Sequence, residues 1–185
     1  MSGLHLAARR RVLHALAGLA LAGMTAPLRA AAAVPLAADQ LSLRNLHTEE
    51  TVVVSLPAGA APDDEMQRKL QRVLRDHRSG DEHAIDVALF RQLLDLAAEA
   101  GAEARYEIIS GYRAPVTNAA LRERSTGVSE KSLHMEGRAL DVRLVGVDCL
   151  KLAELARAQR RGGVGYYARS AFVHLDTGRV RTWDG

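Results

Sequence analysis

The segment Ser132-Leu133-His134-Met135-Glu136-Gly137-Arg138-Ala139-Leu140-Asp141 restricts the fold more than any other part of the chain. From Ala139 onward the residues alternate, with Ala139, Asp141 and Arg143 on one side and Leu140, Val142 and Leu144 on the other, the period of a half-buried strand. The chain must therefore build a sheet whose apolar face meets a core and whose polar face carries Asp141. Gly137 permits a turn just ahead of that strand, so that His134 and Asp141 can point at one place. A histidine and a carboxylate are ligand types that suit zinc, so the segment reads as half of a metal site. A hydrogen-bonded histidine at a strand end is the other explanation of the same spacing.

Two ligands do not hold a hydrolytic zinc, and the candidate third is His174 in Ala171-Phe172-Val173-His174-Leu175-Asp176. That run is also strand-like, and it puts Phe172, His174 and Asp176 on one face.

The remaining elements follow from local signals. Leu41 to Leu46 and Thr51 to Leu56 read as strands joined by a polar turn, in which His47 is an ordinary turn residue. Pro62-Asp63-Asp64 opens a helix with Met66, Leu70, Val73 and Leu74 on its buried face, and Gly80 is expected just past its end. Asp86 caps a second helix with Leu89, Leu93, Leu96 and Ala97 inward and Gly101 after the last turn. His77 and His83 fall in the connection between these helices and are expected to be solvated or locally hydrogen-bonded. Tyr106 to Ser110 is a strand that leads into Gly111-Tyr112-Arg113, and Pro115 starts a short helix through Arg124. The Ser-, Thr- and Gly-rich loop from Ser125 to Lys131 delivers the chain to the central motif. Asp148 caps a last helix through Arg160, with Leu152, Leu155 and Ala156 inward. Gly162-Gly163-Val164-Gly165 then starts a strand bearing Tyr166 and Tyr167, one of them at least in the core, and Val180 to Trp183 closes or packs on a sheet edge.

At 185 residues the chain suits one domain with a real core. The net charge of +3 belongs to the amino terminus, where Arg9, Arg10, Arg11 and Arg29 stand without any acid in the first 30 residues. The rest is near neutral, which gives no electrostatic case for nucleic acid. Residues 1–33 read as an export signal and its cleavage region, with Ala8-Arg9-Arg10-Arg11-Val12-Leu13 of twin-arginine type and an apolar stretch, Val12 to Met24, short for a membrane span. Residues 34–40 are expected to be a flexible lead, and residues 41–185 the working domain. Cys149 is the one cysteine, so no internal disulfide forms, and it reads as an inert thiol.

The central motif resembles Ser-x-His-x-x-Gly-x-Ala-x-Asp of the zinc D-alanyl-D-alanine peptidases and their lysostaphin and hedgehog-like relatives. Ile109-Ser110-Gly111-Tyr112-Arg113, Asn118, Leu121-Arg122, Gly127-Val128, Gly163-Val164-Gly165-Tyr166-Tyr167 and Phe172-Val173-His174-Leu175-Asp176-Thr177-Gly178 extend the resemblance to the MepK type of murein endopeptidase, over about Leu41 to Trp183. The resemblance implies an α+β fold in which a small antiparallel sheet carries the zinc site on one face and helices pack on the other. It implies one zinc per chain, held by His134, Asp141 and His174 with a position left for water. It also implies an exported monomer of the periplasm or cell envelope that acts on peptidoglycan stem peptides and cuts crosslinks, notably those between diaminopimelates. Arg113 matches the substrate-binding arginine of these peptidases, and Ser132, Tyr166 and Tyr167 are further candidates for contact with substrate. The general base departs from the pattern. Ala171 stands where one form has glutamate and Phe172 where another has histidine, which leaves Asp176 as base or as the partner that fixes the His174 tautomer, and Glu136 as a solvated loop residue. Carboxypeptidase trimming of a terminal D-alanine, and a zinc-bearing peptidoglycan-binding module without hydrolysis, are the alternatives.

Overall fold

The computed structural model, which describes residues 34–125 and 127–185, forms a sheet of seven short strands, and the alternation of apolar residues is clearest in Gln40–Asn45, Ala139–Leu144 and Phe172–Asp176. The strands are β1 (Gln40–Asn45), β2 (Thr51–Ser55), β3 (Arg105–Ser110), β4 (Ala139–Leu144), β5 (Gly163–Tyr167), β6 (Phe172–Asp176) and β7 (Arg181–Asp184). Their order across the sheet is β2-β1-β3-β4-β6-β5-β7. The expected export signal, residues 1–33, lies outside the described residues.

Four pairings are antiparallel, as expected, but β1 with β3 and β5 with β7 are parallel, so the sheet is larger and more mixed than the small antiparallel one anticipated. The reason is connectivity. Parallel neighbours need a crossover, and two helices, α1 (Asp64–Val73) and α2 (Val87–Ala100), lie between β2 and β3 in the chain. At the other end, residues 177–180 step over the start of β5 and lay β7 along its outer edge.

Leu41, Leu43, Tyr106, Ile108, Leu140, Val142, Val173 and Leu175 fill one sheet face with side chains at most 1 % exposed. They meet Leu70 of α1, Leu89, Phe90, Leu93 and Leu96 of α2, and Leu152, Ala153 and Ala156 of α4 (Cys149–Gln159). Burying each such side chain contributes about 1.5–3 kcal/mol, so this face anchors the sheet and leaves the other for polar residues. The Asp63, Asp86 and Asp148 carboxylates accept from Met66, Ala88 and Leu150 N–H groups and cap α1, α2 and α4. Cys149 is half-buried and its thiol is pushed up by burial.

The connection after α1 differs from expectation. The helix ends at Val73, well before Gly80, because the chain turns to bury Asp76. That carboxylate accepts from the backbone N–H groups of Arg78 and Ala114, both at 2.9 Å. The histidines here are stacked: His77 on His47 at 3.7 Å between ring centroids, and His83 on Tyr112 at 4.8 Å. His47 also hydrogen-bonds the Ile109 carbonyl through Nε2.

Candidate metal centre

The polar sheet face owes its chemistry to one row of residues. Ser110, Asp141, His174, Gly165 and Trp183 stand opposite one another across β3, β4, β6, β5 and β7. The same alternation that sends Leu140 and Val142 into the core lifts Asp141 out of it, and Val173 and Leu175 do so for His174.

His134 arrives from outside the sheet, on a single 3-10 turn, Leu133–Glu136. Gly137 ends that turn at φ 65°, a left-handed conformation that glycine adopts without a Cβ penalty, and a Cβ there would collide with the Ala84 carbonyl. Two reciprocal bonds hold the turn against the segment after β3. The His134 ring bonds the Gly111 carbonyl through Nδ1 at 2.8 Å, and the Arg113 N–H donates to the His134 carbonyl at 3.1 Å.

The outcome is a triangle of donor atoms. His134 Nε2 lies 3.3 Å from Asp141 Oδ1 and 3.2 Å from His174 Nδ1, and His174 Nδ1 lies 2.8 Å from Asp141 Oδ1. Zinc bonds of ~2.0–2.1 Å in a tetrahedron set donor edges of about 3.3 Å, so the set fits such an ion. The outer nitrogens agree. His134 Nδ1 is occupied by the Gly111 carbonyl and His174 Nε2 by Asp176 Oδ2 at 3.1 Å, so in the neutral rings both inward nitrogens present lone pairs. Lone pairs this close repel unless a proton or a metal cation lies between them.

The titration behaviour has the same origin. Burial works against charge on all three residues. It pushes His134 down, whereas for His174 the bonds to Asp141 and Asp176 overcome it and raise the pKa to about 9. For Asp141 the two imidazoles overcome burial and hold the carboxyl far below the usual range. The pocket asks for a positive charge.

The trio forms the floor of a cavity of ≈ 540 Å³. One wall is Arg113 with the loop residues Ser125, Ser129, Lys131 and Ser132, and the other is aromatic, with Tyr167, Phe172 and Trp183. Arg113 Nη2 stands 3.8 Å from Asp141 Oδ2, and its guanidinium bonds Ser110 Oγ and Asn118 Oδ1. Arg113, Ser132 and Tyr167 thus border the trio. Tyr166, one residue out of phase on β5, packs against the core and is not among the residues that line the cavity.

Asp176 shares the sheet face of His174 but is not among the residues that line the cavity. It is fully buried, and its oxygens accept from His174 Nε2, from both Arg181 Nη groups at 3.0 and 2.7 Å, and from the Gly163 and Gly178 N–H groups. Its lone pairs are taken, and against the effect of burial His174 and Arg181 hold its carboxyl well below the usual range. Glu136 pairs with Arg138 at 3.1 Å at the surface.

Trp183 was not singled out from the sequence. Its indole covers Gly165, where a Cβ would land 2.5 Å away, lies 5.2 Å from the His174 ring, and donates to the Tyr167 hydroxyl at 3.1 Å. The signal was present in the alternation Arg181-x-Trp183 beside a strand with glycines at 163 and 165. Asp76 was also missed, since nothing local marks a carboxylate that caps a distant backbone.

A sequence model of the family described as "Peptidoglycan L,D-endopeptidase MepK" matches residues 34–183. The chain belongs to the MepK family. Among curated MepK proteins, "Peptidoglycan L,D-endopeptidase MepK" of Escherichia coli is 41% identical over 177 residues, 95% of this chain and 97% of that protein. The MepK protein of Shigella flexneri gives the same figures. "Probable peptidoglycan L,D-endopeptidase MepK" of Haemophilus influenzae is 41% identical over 148 residues, 78% of each chain. No solved structure matches the chain. The matched span of the MepK model takes in the trio, both cavity walls and Asp176.

Proposed function

We propose that the protein is a zinc-dependent murein endopeptidase that hydrolyses stem-peptide crosslinks, including those between diaminopimelates. The observation that carries this reading is the convergence of His134, Asp141 and His174 donor atoms on the floor of an open cavity, in a member of the MepK family. Those three residues would hold one zinc per chain, which would supply a water acidified to a pKa of ~7 and a Lewis acid for a carbonyl.

The chain's own residues do the rest. Asp176, itself clamped by Arg181, fixes the His174 tautomer so that Nδ1 faces the ion. Arg113 binds substrate and meets negative charge that develops on the scissile carbonyl oxygen. Tyr167 contributes an O–H whose oxygen is already engaged by Trp183, so the proton is free to be donated. Ser132 contacts the peptide from the loop side.

The fold is assigned to the hedgehog and D-alanyl-D-alanine-peptidase type. The protein acts as a monomer in the periplasm or cell envelope, after export by the twin-arginine signal of residues 1–33 and a short lead at 34–40. Among the described residues no helix is long and apolar enough to cross a membrane.

One observation favours a second reading: Asp141 is the sole carboxylate among the residues that line the cavity, and Asp176 is saturated. A zinc-bearing module that binds peptidoglycan without cutting it has this composition. Purified protein incubated with crosslinked muropeptides decides. Product that vanishes on chelation, returns with zinc and is absent for His134→Ala supports the endopeptidase, and release of free D-alanine alone points to a carboxypeptidase. Stoichiometric zinc with no turnover sinks both and leaves the binding module.

A further inference from the structure

The cavity's two walls differ in charge as well as in shape. The aromatic wall is uncharged at its surface, with Tyr167 and Phe172 stacked at 4.5 Å and Arg181 neutralised by Asp176. The loop wall carries two cations, Arg113 and Lys131. Arg113 has Asp141 beside it, whereas Lys131 is exposed and has no carboxylate in ion-pair distance among the described residues.

Lys131 is not on a loose loop. Its N–H donates to Ser129 Oγ at 3.2 Å, and the Ser129 carbonyl accepts from Asn118 Nδ2 at 3.0 Å. The same Asn118 side chain receives the Arg113 guanidinium through Oδ1. One asparagine on the helix Pro115–Arg124, α3, therefore ties the Arg113 guanidinium to the backbone that leads into Lys131. With Asp141 the one carboxylate among the described lining residues, and Arg113 and Lys131 both on this wall, the wall has positive charge to spare and selects for an anion on the peptide that lies against it.

We propose that Lys131 is a specificity-determining residue that binds a free carboxylate of the stem peptide, so that the site discriminates against amidated peptides. This rests on the reading of stem peptides as the substrate. Besides the C-terminal carboxylate, such peptides offer two internal sources of the group: the α-carboxylate that a γ-linked D-glutamate leaves free, and the side-chain carboxylate of diaminopimelate. An ammonium on the same wall as Arg113 engages one of them by a charge-assisted hydrogen bond.

The test is a cycle between protein and ligand. Binding of an uncrosslinked stem peptide, which has no crosslink to cut, is measured by calorimetry on the zinc-loaded protein, for the wild type, Lys131→Gln and Lys131→Arg. Three peptides, each with its C-terminus amidated, are compared: both internal carboxylates free, the glutamate amidated, and the diaminopimelate side chain amidated. Lys131→Gln weakens the free peptide about tenfold, Lys131→Arg restores most of it, and one of the amidations abolishes the difference between wild type and Lys131→Gln, which names the carboxylate. An equal loss on all three peptides, no loss on any, or no binding by the wild type overturns the proposal. Turnover of the crosslinked dimer is scored separately. Lys131-dependent binding without any cleavage removes the hydrolase reading and leaves this inference standing.

Discussion

The trio is assembled from two regions that obey different rules. Asp141 and His174 are paired across β4 and β6, in a sheet whose far side is a filled core, so their separation is fixed by register. His134 and Arg113 are delivered by non-regular segments held through a handful of bonds, from the His134 ring to Gly111, from Arg113 to the His134 carbonyl, and from Ala114 to Asp76. A register is all or nothing, because a slip of one residue reverses every side chain. A loop contact can loosen by degrees. The sheet half therefore supplies the rigid frame and the loop half the adjustable part, and perturbations of the two should look different.

The largest effect should ignore that division. His134→Ala and His174→Ala each remove a proposed ligand, so both are expected to lower kcat/KM on crosslinked muropeptide on the order of 10³-fold or more and to abolish stoichiometric zinc, read by elemental analysis. They should part company in thermal unfolding of the zinc-free protein. His174 is wedged between Asp141, Asp176 and the Trp183 indole, so its loss unsettles three strands, whereas loss of His134 frees only a turn. A variant that keeps both zinc and turnover breaks the idea of a single site.

The same division explains what the sequence disclosed. The faces of β4 and β6 were legible because a period of two on either side of a core leaves one assignment for Asp141 and His174. Tyr166 and Tyr167 were not separable, because Gly-Val-Gly-Tyr-Tyr has a single branched side chain to set the phase and glycines that fit either face. The helix caps were legible, being local. The parallel β1–β3 and β5–β7 pairs were not, because strand direction depends on where a crossover lands, and the saturation of Asp176 was invisible because Gly163 and Arg181 reach it only after β5 and β7 have packed. Asp76 is the extreme case, a buried carboxylate whose partner lies 38 residues away.

Within the sheet half, Asp176→Asn should follow in size. Zinc affinity or activity is expected to fall by about 10–100-fold, the usual consequence of losing the group that orients a ligating histidine. Stability should fall by ~3 kcal/mol because the Arg181 guanidinium loses a buried partner. Zinc titration and urea unfolding read the two separately. Unchanged zinc affinity means that Asp176 serves the fold alone.

Asp76→Asn is the matched change in the loop half. One backbone N–H among those of Arg78 and Ala114 loses its charged acceptor, at a cost of about 1–2 kcal/mol. Zinc affinity should hold, since no ligand is displaced, while KM for the peptide rises with the loosened Arg113 segment. A fall in zinc affinity equal to that of Asp176→Asn erases the distinction between the halves.

The smallest effect concerns acid. His77, next to Asp76 and stacked on His47, is pushed from 6.5 down to about 4, first by burial and then by Arg78 and His47, with Asp76 opposing. The folded protein therefore holds His77 neutral where the unfolded chain has already taken up a proton, so stability is lost as pH falls from about 6.5 and the loss levels off near 4. Because the ring is partly exposed, solvent screening limits this to about 1 kcal/mol or less. Asp76 adds a loss at lower pH, since its depressed carboxyl gives up its stabilisation only as pH falls through the folded value. Urea unfolding of the zinc-free protein between pH 7 and 4 should show the decline, and His77→Gln should flatten it while leaving the pH 7 value nearly unchanged. If the slope between pH 7 and 5 persists in His77→Gln, the acid response there does not belong to His77.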